Sequence, residues 1–447
     1  MTGYPDATTG PAPASTASTA LLTDHYELTM LQAALRSGAA SRRSVFEVFA
    51  RRLPDGRRYG VVAGVGRLLD ALEAFRFDDA ALGRLSDADV VDDETLAWLQ
   101  AYRFTGSIWG YAEGDCFFPG SPLLVVEGTF AEAVLLETLV LSILNHDCAV
   151  AAAASRMNAA ACERPCIEMG SRRTHEQAAV AAARAAYVAG FARTSNLEAG
   201  RRYGVPTTGT SAHAFTLLHD DERQAFAAQV ASLGKGTTLL VDTYDVPTAV
   251  RTAVEVAGPD LGAVRLDSGD LVVQAREVRQ QLDDLGATKT KIIVTSDLDE
   301  HAIAALAAAP VDGYGVGTSL VTGSGAPTAG LVYKLVSRGS DDGTMVKVAK
   351  ASKDKLSVGG RKWALRRRDE KGMAEAEVIG IAVCPTDDGD DRPLLVDLVK
   401  EGEVVGREPL SVARDRHAAA LAELPPSALQ LSRGEPAIPT VYEGEDR

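Results

Sequence analysis

The chain has 447 residues, enough for two or three domains with sizeable cores. Its 46 basic and 61 acidic residues give a net charge of −15, which argues against nucleic acid or an anionic membrane as its partner. The five cysteines form neither a C-x-x-C pair nor an even framework, so we expect reduced thiols, no zinc site and a cytoplasmic location.

The N-terminal region predicts a tail followed by a helix. Residues 1–20 are rich in Ala, Thr, Pro, Ser and Gly, with no basic start and no continuous apolar core, so we expect a disordered tail and no signal peptide. The next segment predicts a helix that begins with Thr23 or Asp24 as N-cap and buries Leu28 and Leu31.

The region that follows predicts strands and one apolar helix. Residues 44–51 alternate apolar and polar side chains as a half-buried strand does, and the glycines and prolines of 106–128 favour an antiparallel sheet with tight turns. The apolar stretch 129–144 carries two glutamates and is too short to span a bilayer. It predicts a buried helix with a capping box between Thr129 and Glu132.

Between residues 166 and 320, a short apolar strand runs seven times into a polar or glycine-rich tip, usually followed by a helical pattern. Strands that alternate with helices must run parallel, so their carboxyl ends lie on one face of the sheet. That face would collect arginines, carboxylates, a histidine and hydroxyls, which suit a polyanionic ligand with chemistry beside it. The tips span residues 168–173, 193–196, 209–213, 241–245, 265–270, 295–297 and 315–319.

Strand patterns return near the C-terminus, at 331–336, 345–350 and 394–399. The predicted fold class is therefore α/β, with a parallel α/β barrel inserted into a β-rich α+β domain that both ends of the chain build. The expected division is a tail at 1–20, a β-rich domain at 21–125 and 337–430, a barrel at 126–336 and an acidic tail at 431–447.

One histidine is a candidate for chemistry. His213 is the only one of seven histidines at such a tip, where Gly209 and small side chains let a ligand approach the backbone. Asp242, which ends the strand T-T-L-L-V-D, is a candidate to accept from the second ring nitrogen and fix the tautomer. The alternative is a core or helix-start histidine satisfied by a neighbour, and the six companion tips argue against it.

Two further tips offer groups suited to a phosphosugar. Asp267, next to Arg265 and before Ser268 and Gly269, is a candidate for binding ribose hydroxyls or a magnesium ion, with a surface ion pair as the alternative. The tip at 315–319 offers consecutive backbone N–H groups where such barrels bind phosphate.

Among the remaining motifs, the arginines are candidates for ligand binding, whereas the glycine-rich stretches do not match known phosphate-binding motifs. Arg172 and Arg173 are candidates to grip a carboxylate or phosphate, with solvated arginines as the alternative. The motif at 234–238 lacks the first glycine of a P-loop, and 60–66 lacks the strand and helix order of a dinucleotide fingerprint.

Eight short motifs recur in an order and spacing that is more specific than any of them alone. They are T-D-x-Y-x-x-T-M at 23–30, F-E-V-F-x-R at 46–51, E-M-G-x-R-R at 168–173, T-S-N at 194–196, G-T-x-A-H at 209–213, V-D-T-Y-D at 241–245, R-L-D-S-G-D at 265–270 and G-V-G-T at 315–318. With them, the chain from about 21 to about 370 closely resembles nicotinate phosphoribosyltransferases.

The resemblance implies a type II phosphoribosyltransferase, with an irregular parallel α/β barrel, a β-rich domain from both termini, and active sites shared across a homodimer. It implies transfer of phosphoribosyl from phosphoribosyl pyrophosphate (PRPP) to nicotinate, giving nicotinate mononucleotide and pyrophosphate in NAD biosynthesis. It also implies coupling to ATP hydrolysis, with Mg²⁺.

The resemblance assigns roles residue by residue. His213 matches the histidine that ATP phosphorylates transiently, with Asp242 and Asp267 as carboxylates near it. Tyr26 resembles an aromatic that reaches the pyridine ring from the partner subunit, and Arg172 the arginine that faces the substrate. The remaining expected substrate contacts are Met169, Thr194, Ser195 and Thr210, and the expected PRPP contacts are Arg265, Ser268, Gly269, Ser296, Asp297, Gly317, Thr318, Lys350, Lys355 and Lys362.

Substrate choice rests on one position. A related family that uses nicotinamide has an aspartate where this chain has Ser195, and a carboxylate there would repel nicotinate. The rival interpretations are a nicotinamide or quinolinate phosphoribosyltransferase and a catalytically silent phosphosugar-binding barrel. Ala214, where many relatives have serine, and Arg193, where glycine is common, depart from the family pattern.

Overall fold

The structure, a computed structural model, describes residues 17–350 and 358–444. The chain forms two compact units: a terminal unit of Met1–Ala152 with Ala326–Arg447, and an inserted unit of Ala153–Gly325. The expected barrel limits of 126 and 336 differ from these because the strands at both limits hydrogen-bond into the sheet of the terminal unit. A discontinuous unit built from both ends of the chain and an inserted α/β unit agree with the predicted fold class.

The first part of the terminal unit alternates helices with short strands. The predicted first helix is confirmed, with Asp24 as N-cap residue and Leu28 and Leu31 buried. The elements in chain order are α1 (His25–Ser37), β1 (Arg43–Ala50), β2 (Gly60–Val61), α2 (Val65–Glu73), α3 (Asp79–Asp87), α4 (Asp93–Gln100), β3 (Ser107–Tyr111), β4 (Cys116–Phe117), β5 (Leu124–Thr129), α5 (Phe130–Val134) and α6 (Glu137–Ala161).

The inserted unit is a six-stranded, wholly parallel sheet that is curled into a half barrel, in the order β7-β6-β11-β10-β9-β8. Parallel pairing requires helical crossovers between strands, which is what the sequence pattern predicted. Its elements are β6 (Cys166–Glu168), α7 (Glu176–Val188), β7 (Arg193–Thr194), α8 (Leu197–Tyr203), α9 (His213–Leu217), α10 (Glu222–Leu233), β8 (Thr238–Leu240), α11 (Val246–Ala257), β9 (Ala263–Leu266), α12 (Leu271–Asp284), β10 (Lys291–Val294), α13 (Glu300–Ala305), β11 (Gly313–Val316) and α14 (Thr318–Val321).

The returning segment completes the terminal unit. Its elements are β12 (Leu331–Gly339), β13 (Met345–Lys347), β14 (Lys362–Arg368), β15 (Ala374–Ile381), β16 (Arg392–Pro393), β17 (Leu395–Lys400), β18 (Glu403–Val404), α15 (Leu410–Ala422) and β19 (Thr440–Glu443). Strands from both chain ends alternate in one antiparallel sheet, in the order β13-β12-β1-β5-β3-β17-β18. The hairpin β14–β15 was not predicted; four of the seven residues of β14 are basic, and they interrupt the apolar alternation of that strand.

Part of each expected tail is packed in the structure. Ala20 is fully buried, and Thr19 donates its hydroxyl to Ala71 O at 2.7 Å, so the chain is packed before residue 21. At the other end, Thr440–Glu443 pairs in parallel with β15 inside the expected acidic tail. Backbone hydrogen bonds to a neighbouring strand order this segment despite its charge.

The sheet of the terminal unit is covered on both faces. Seven of the eight residues of β1 are buried, although the alternation predicted one exposed face. Phe46 and Val48 belong to the main core, whereas Val45 packs on the opposite face with Val125 and Val336. Alternate side chains of a strand point to opposite faces, so the polar residues of β1 are enclosed as well.

Lys362 was expected to reach the phosphates of PRPP, and the structure contradicts this. Its side chain is only 2% exposed, and its Nζ lies 2.5 Å from Glu47 Oε2 and 2.8 Å from Val358 O. Burial raises the pKa of Glu47, while the lysine lowers it. A buried carboxylate needs a cation and hydrogen bonds, so Lys362 supports the sheet instead of meeting a ligand.

The predicted apolar helix is present but divided. Thr129 and Glu132 form the expected capping box at the start of α5, and α6 begins after a short break. By length and composition alone, Phe130–Ala161 is sufficient to cross a membrane, yet 67% of its apolar window is buried inside the protein. Burial of this kind is typical of a core helix.

A buried histidine makes the stability of the terminal unit sensitive to pH. His417 in α15 is 2% exposed, and its Nδ1 lies 3.0 Å from Gly114 O. Burial lowers the pKa of His417 from 6.5 to about 4, against the opposing effects of Gly114 O and Asp115. The folded protein therefore binds this proton less readily than the unfolded chain does.

Above pH 6.5, His417 should not reduce the free energy of unfolding. As the pH drops from 6.5 towards 4, its protonation in the unfolded chain should lower the free energy of unfolding. At pH 5 the loss from His417 alone is about 2 kcal/mol. This loss is measured by denaturant unfolding of wild type and His417→Gln at pH 7.5 and pH 5. Other titrating groups contribute equally in both proteins, so the difference in their pH dependence is due to His417. An equal pH dependence in the two proteins would contradict the assignment.

Candidate active site

The site of the inserted unit lies at the edge of the sheet where its parallel strands end. Six of the seven predicted tips lie at the carboxyl ends of β6–β11, and the sheet order places the tips of β9, β10, β11 and β6 side by side. The seventh tip, 209–213, follows no strand of the sheet. It belongs to a loop joined to β7 by a bridge between Thr194 and Thr207.

That loop runs from the β7 edge to the tips at the opposite edge of the sheet. Arg265 of β9 holds it, because its Nη1 lies 3.1 Å from Thr210 Oγ1 and its Nη2 lies 3.0 Å from Ser211 O. Gln229 of α10 holds it from the other side, accepting from Ser211 Oγ at 2.8 Å and donating to Thr238 O at 2.9 Å. Thr210 and Arg265 therefore position the loop.

His213 opens α9 at the end of this loop, and its side chain is 40% exposed. Its Nδ1 lies 3.2 Å from Thr243 Oγ1. Its Nε2 lies 3.9 Å from Asp242 Oδ1 and 3.8 Å from Asp267 Oδ2, too far for a hydrogen bond to either. The hydrogen-bond partner of the ring is thus Thr243 and not the expected Asp242, and sequence reasoning missed Thr243 although it is adjacent.

Asp242 is 2% exposed, and it connects two tips. Its Oδ2 accepts from Asp267 N at 2.8 Å and from Ser268 Oγ at 2.9 Å. Its Oδ1 is buried and has no hydrogen-bond partner among the described residues. Asp267 accepts from the hydroxyl of Thr295 at the next tip. The two carboxylates therefore present one oxygen each towards His213 Nε2.

Cations balance this negative charge. Arg265 is partly buried, and burial lowers its pKa while Asp267 and Asp242 raise it and Arg172 lowers it again. A guanidinium still stays protonated, since its ordinary pKa lies far above neutrality. The positive charges of Arg265 and Arg172 and the negative charges of Asp242 and Asp267 therefore interact electrostatically at this edge of the sheet.

The expected phosphate tips follow β10 and β11. Ser296 has φ 131°, a conformation that is uncommon for residues other than glycine and that concentrates at functional sites. Asp297 is exposed beside it, and Gly317 directly precedes α14, which begins at Thr318. In the β9 tip, Gly269 has φ 83°, and a Cβ there would lie 2.3 Å from Gln274 Nε2.

The tips of β6 and β7 carry the expected pyridine contacts. Arg172 and Ser195 are exposed and Met169 is half buried. Thr194 differs from the prediction: it is fully buried, and its hydroxyl donates to Glu168 Oε2 at 2.5 Å. Its hydroxyl therefore points to a carboxylate beneath the tips instead of a substrate. Glu168 itself was not singled out, although it opens the E-M-G-x-R-R motif.

Two expected contacts lie in the terminal unit and one lies outside the described residues. Tyr26 of α1 is 43% exposed, and burial and the carboxylates of Glu137 and Glu27 raise its pKa. Lys350 is exposed after β13, whereas Lys355 lies outside the described residues.

The excluded glycine motif is accounted for by a side chain. The N–H groups of Gly64 and Gly66 at the start of α2 point to Glu113, with Gly64 N 2.5 Å from Oε1 and Gly66 N 3.2 Å from Oε2. A carboxylate of the same unit thus occupies the position that a phosphate takes in a dinucleotide site.

One acidic group elsewhere is close enough to share a cation. Within 17–350 and 358–444, it consists of Asp387, Asp388 and Asp391. Arg367 already lies against it, with Nε 3.4 Å from Asp388 Oδ2 and Nη2 3.3 Å from Asp391 Oδ2. An arginine therefore balances this cluster.

Comparison with known proteins identifies the family. Residues 21–145 match the model of the nicotinate phosphoribosyltransferase (NAPRTase) N-terminal domain. The chain is 60% identical over 429 residues to nicotinate phosphoribosyltransferase pncB1 of Mycobacterium tuberculosis, covering 94% of each chain. This chain belongs to the nicotinate phosphoribosyltransferase family.

More distant members agree with this placement. Nicotinate phosphoribosyltransferase of Bacillus subtilis is 39% identical to this family member, over 78% of this chain and 73% of the relative. The crystal structure of human nicotinic acid phosphoribosyltransferase superposes with a TM-score of 0.80 at 27% identity, covering 94% of this chain and 97% of the human one. The two-unit architecture is therefore the fold of this nicotinate phosphoribosyltransferase family.

Proposed function

We propose that this protein transfers phosphoribosyl from PRPP to nicotinate, releasing nicotinate mononucleotide and pyrophosphate in NAD salvage. The observation that carries the proposal is the convergence of His213, two carboxylates and Arg265 at one edge of the parallel sheet. The high identity to a named nicotinate phosphoribosyltransferase over nearly the whole chain supports it.

In the proposed transfer, the pyridine nitrogen of nicotinate attacks C1 of the ribose. The bond from C1 to the pyrophosphate oxygen breaks, and its electron pair leaves with pyrophosphate. The nitrogen already has a lone pair, so the protein needs no general base. The work of its residues is to align the ring and to neutralise charge as it develops on the leaving group.

We also propose that ATP hydrolysis is coupled to this reaction through His213. A ring nitrogen would attack the γ-phosphorus of ATP, ADP would leave with the electron pair of the broken bond, and water would later release phosphate. The ring is accessible and Thr243 holds its Nδ1, which supports Nε2 as the attacking atom. Phosphorylation adds charge and acceptors that can order neighbouring loops.

The residues beside His213 fit a magnesium ion. Asp242 offers a buried oxygen that lacks a hydrogen-bond partner among the described residues, and Asp267 offers a second oxygen near it. Carboxylate oxygens are the ligands that Mg²⁺ prefers. When bound, the ion would offset the repulsion between these carboxylates and phosphate oxygens. Asp242 and Asp267 would hold it, and Arg265 and Arg172 would contribute the fixed positive charge.

Ser195 supports nicotinate over nicotinamide. It is exposed at the β7 tip and carries no charge to repel a carboxylate. Quinolinate has a second carboxylate and would require additional cations. Purified protein with PRPP, Mg²⁺ and each pyridine in turn, with and without ATP, tests the proposal by product and pyrophosphate release. Absence of a mononucleotide product and of pyrophosphate release with all three pyridines would leave only the silent phosphosugar-binding barrel.

We further propose a homodimer with shared sites, working in the cytoplasm. Tyr26 and Lys350 are exposed residues of the terminal unit, remote in sequence from every barrel tip, which supports their action on a partner's site. All five cysteines are free, which supports a reducing compartment.

His213→Ala is expected to abolish ATP hydrolysis and phosphoenzyme formation while leaving slow, ATP-independent product formation, because the histidine couples energy and does not act at C1. Radiolabelled ATP measures the acid-labile label. His219→Ala, which changes another histidine close by in the chain, is the control and should label normally. Undiminished labelling of His213→Ala would rule out this role.

Ser195→Asp is expected to raise the KM for nicotinate by about 5- to 150-fold with little change in the KM for PRPP, because two carboxylates would meet in a partly desolvated site. Ser195→Ala is the control, since it removes the hydroxyl without adding charge. Steady-state kinetics with each substrate varied decide the question. An unchanged KM for nicotinate would place Ser195 away from the ring.

Mixing inactive Tyr26→Ala with inactive Arg172→Ala protein is expected to restore activity, because a mixed dimer would contain one site with both defects and one with neither. Each mixed dimer should approach half of the wild-type activity. Native mass spectrometry confirms that subunits have exchanged. If exchange is complete and activity does not return, Tyr26 and Arg172 serve the same subunit's site.

A further inference from the structure

Glu168 is a buried carboxylate beneath the tips of β6 and β7. It is 1% exposed, and no lysine, arginine or histidine pairs with it among residues 17–350 and 358–444. Burial raises its pKa, while hydrogen bonds from Thr194 and Gly170 lower it. A buried acid without a cation is costly to keep, so its position requires an explanation.

The carboxylate links two neighbouring tips. One oxygen accepts from Gly170 N, in the tip that follows β6, and the other accepts from Thr194 Oγ1 at 2.5 Å, at the end of β7. The hydroxyl oxygen of Thr194 in turn accepts from Asn196 N at 2.9 Å. Asn196 adds a second, weaker link through Nδ2 to Ser171 Oγ at 3.1 Å.

Both groups that face Glu168 are donors, which explains why an acceptor-only side chain lies there. An ionised carboxylate has two oxygens and accepts from both at once, whereas an amide would turn a donor towards one of them. Glutamine would retain the shape and keep its oxygen on Gly170 N, which can only donate. It would then turn an N–H group towards Thr194 Oγ1, so the link to Thr194 is the one that weakens.

The backbone pairing of these strands does not depend on the carboxylate. Ser195 N donates to Glu168 O at 2.9 Å, and Met169 N donates to Val316 O at 2.8 Å. Loss of the side chain would leave β6, β7 and β11 paired while the side-chain links between their tips weaken. The carboxylate thus acts on the placement of the tips and not on the ladder itself.

We propose that Glu168 is a positioning residue for the aromatic acid, setting the spacing between Arg172 at the β6 tip and Ser195 at the β7 tip. The inference rests on the proposed function for the identity of the acid. It predicts a selective effect: recognition of the pyridine carboxylate depends on this spacing, whereas PRPP meets the tips of β9, β10 and β11. A misplacement of about 1 Å is enough to cost up to 100-fold in rate.

The experiment compares Glu168→Gln and Thr194→Val with wild type. Each should weaken nicotinate binding by about tenfold, measured by isothermal titration calorimetry in the presence of pyrophosphate, and raise its KM similarly, while the KM for PRPP changes less than about twofold. Because both changes act on the link between Glu168 and Thr194, the double variant should be little worse than either single one. Thr194→Ser retains the hydroxyl and should bind nicotinate nearly as well as wild type.

Glu300→Gln is the matched control. Glu300 is a buried carboxylate of the same unit, 2% exposed, and its Oε2 accepts from Ser324 Oγ at 2.5 Å. Unlike Glu168 it also pairs with Arg156, 3.1 Å from its Oε1, and it links no tips of the site. Glu300→Gln should change the thermal stability of the protein without a selective loss of affinity for nicotinate. If Glu168→Gln does not fold, the comparison of Thr194→Val with Thr194→Ser still decides.

The outcomes separate this inference from the proposed function. Wild-type protein that binds nicotinate but forms no nicotinate mononucleotide would refute the proposed function, while the binding data would still support or overturn the role of Glu168. Equal losses of nicotinate and PRPP affinity, additive effects of the two changes, or the same pattern in Glu300→Gln would overturn it. Wild-type protein that does not bind nicotinate would overturn both.

Discussion

Parallel hydrogen bonding brings the carboxyl ends of β6–β11 to one edge of the sheet, and this alignment positions the site residues of six tips and the Arg265 side chain that holds the loop of His213. Residues separated by more than a hundred positions become neighbours because their strands end together. Side chains then join the tips to one another: Asp242 joins β8 to β9, Asp267 joins β9 to β10, and Glu168 joins β6 to β7. The site is thus a chain of linked tips instead of separate loops.

Electrostatics give this edge its chemical character. Asp242 and Asp267 face one nitrogen of His213 without bonding to it, and Arg265 holds the histidine loop while it neutralises the same carboxylates. Asp242 Oδ1 is buried without a hydrogen-bond partner within 17–350 and 358–444, and burying an oxygen in this way costs free energy. An arrangement of this kind is expected where a ligand or ion completes the hydrogen bonding.

Buried carboxylates serve two purposes in this protein. Glu47 is paired with Lys362 inside the terminal unit, where neither group is exposed enough to meet a ligand. Glu168 accepts only from neutral donors in the part of the chain that the structure describes, and it lies at the base of the β6 and β7 tips. The first arrangement supports a sheet that is enclosed on both faces, and the second controls the distance between two tips.

Local signals in the sequence were sufficient for the alternating strands and helices, the capping box at Thr129, the tips and their motifs, since each depends on residues that are close in the chain. Partners distant in sequence required the tertiary structure. The sequence predicts that Lys362 meets a ligand, and only the structure shows that it pairs with the buried Glu47. The sequence likewise predicts that Thr194 contacts the substrate, and only the structure shows that its hydroxyl donates to Glu168. The orienting partner of His213 was likewise decided by distance in space, because strand β8 presents Asp242 and Thr243 together and only packing selects between them. Burial and pairing are properties of the folded chain, so no local pattern specifies them.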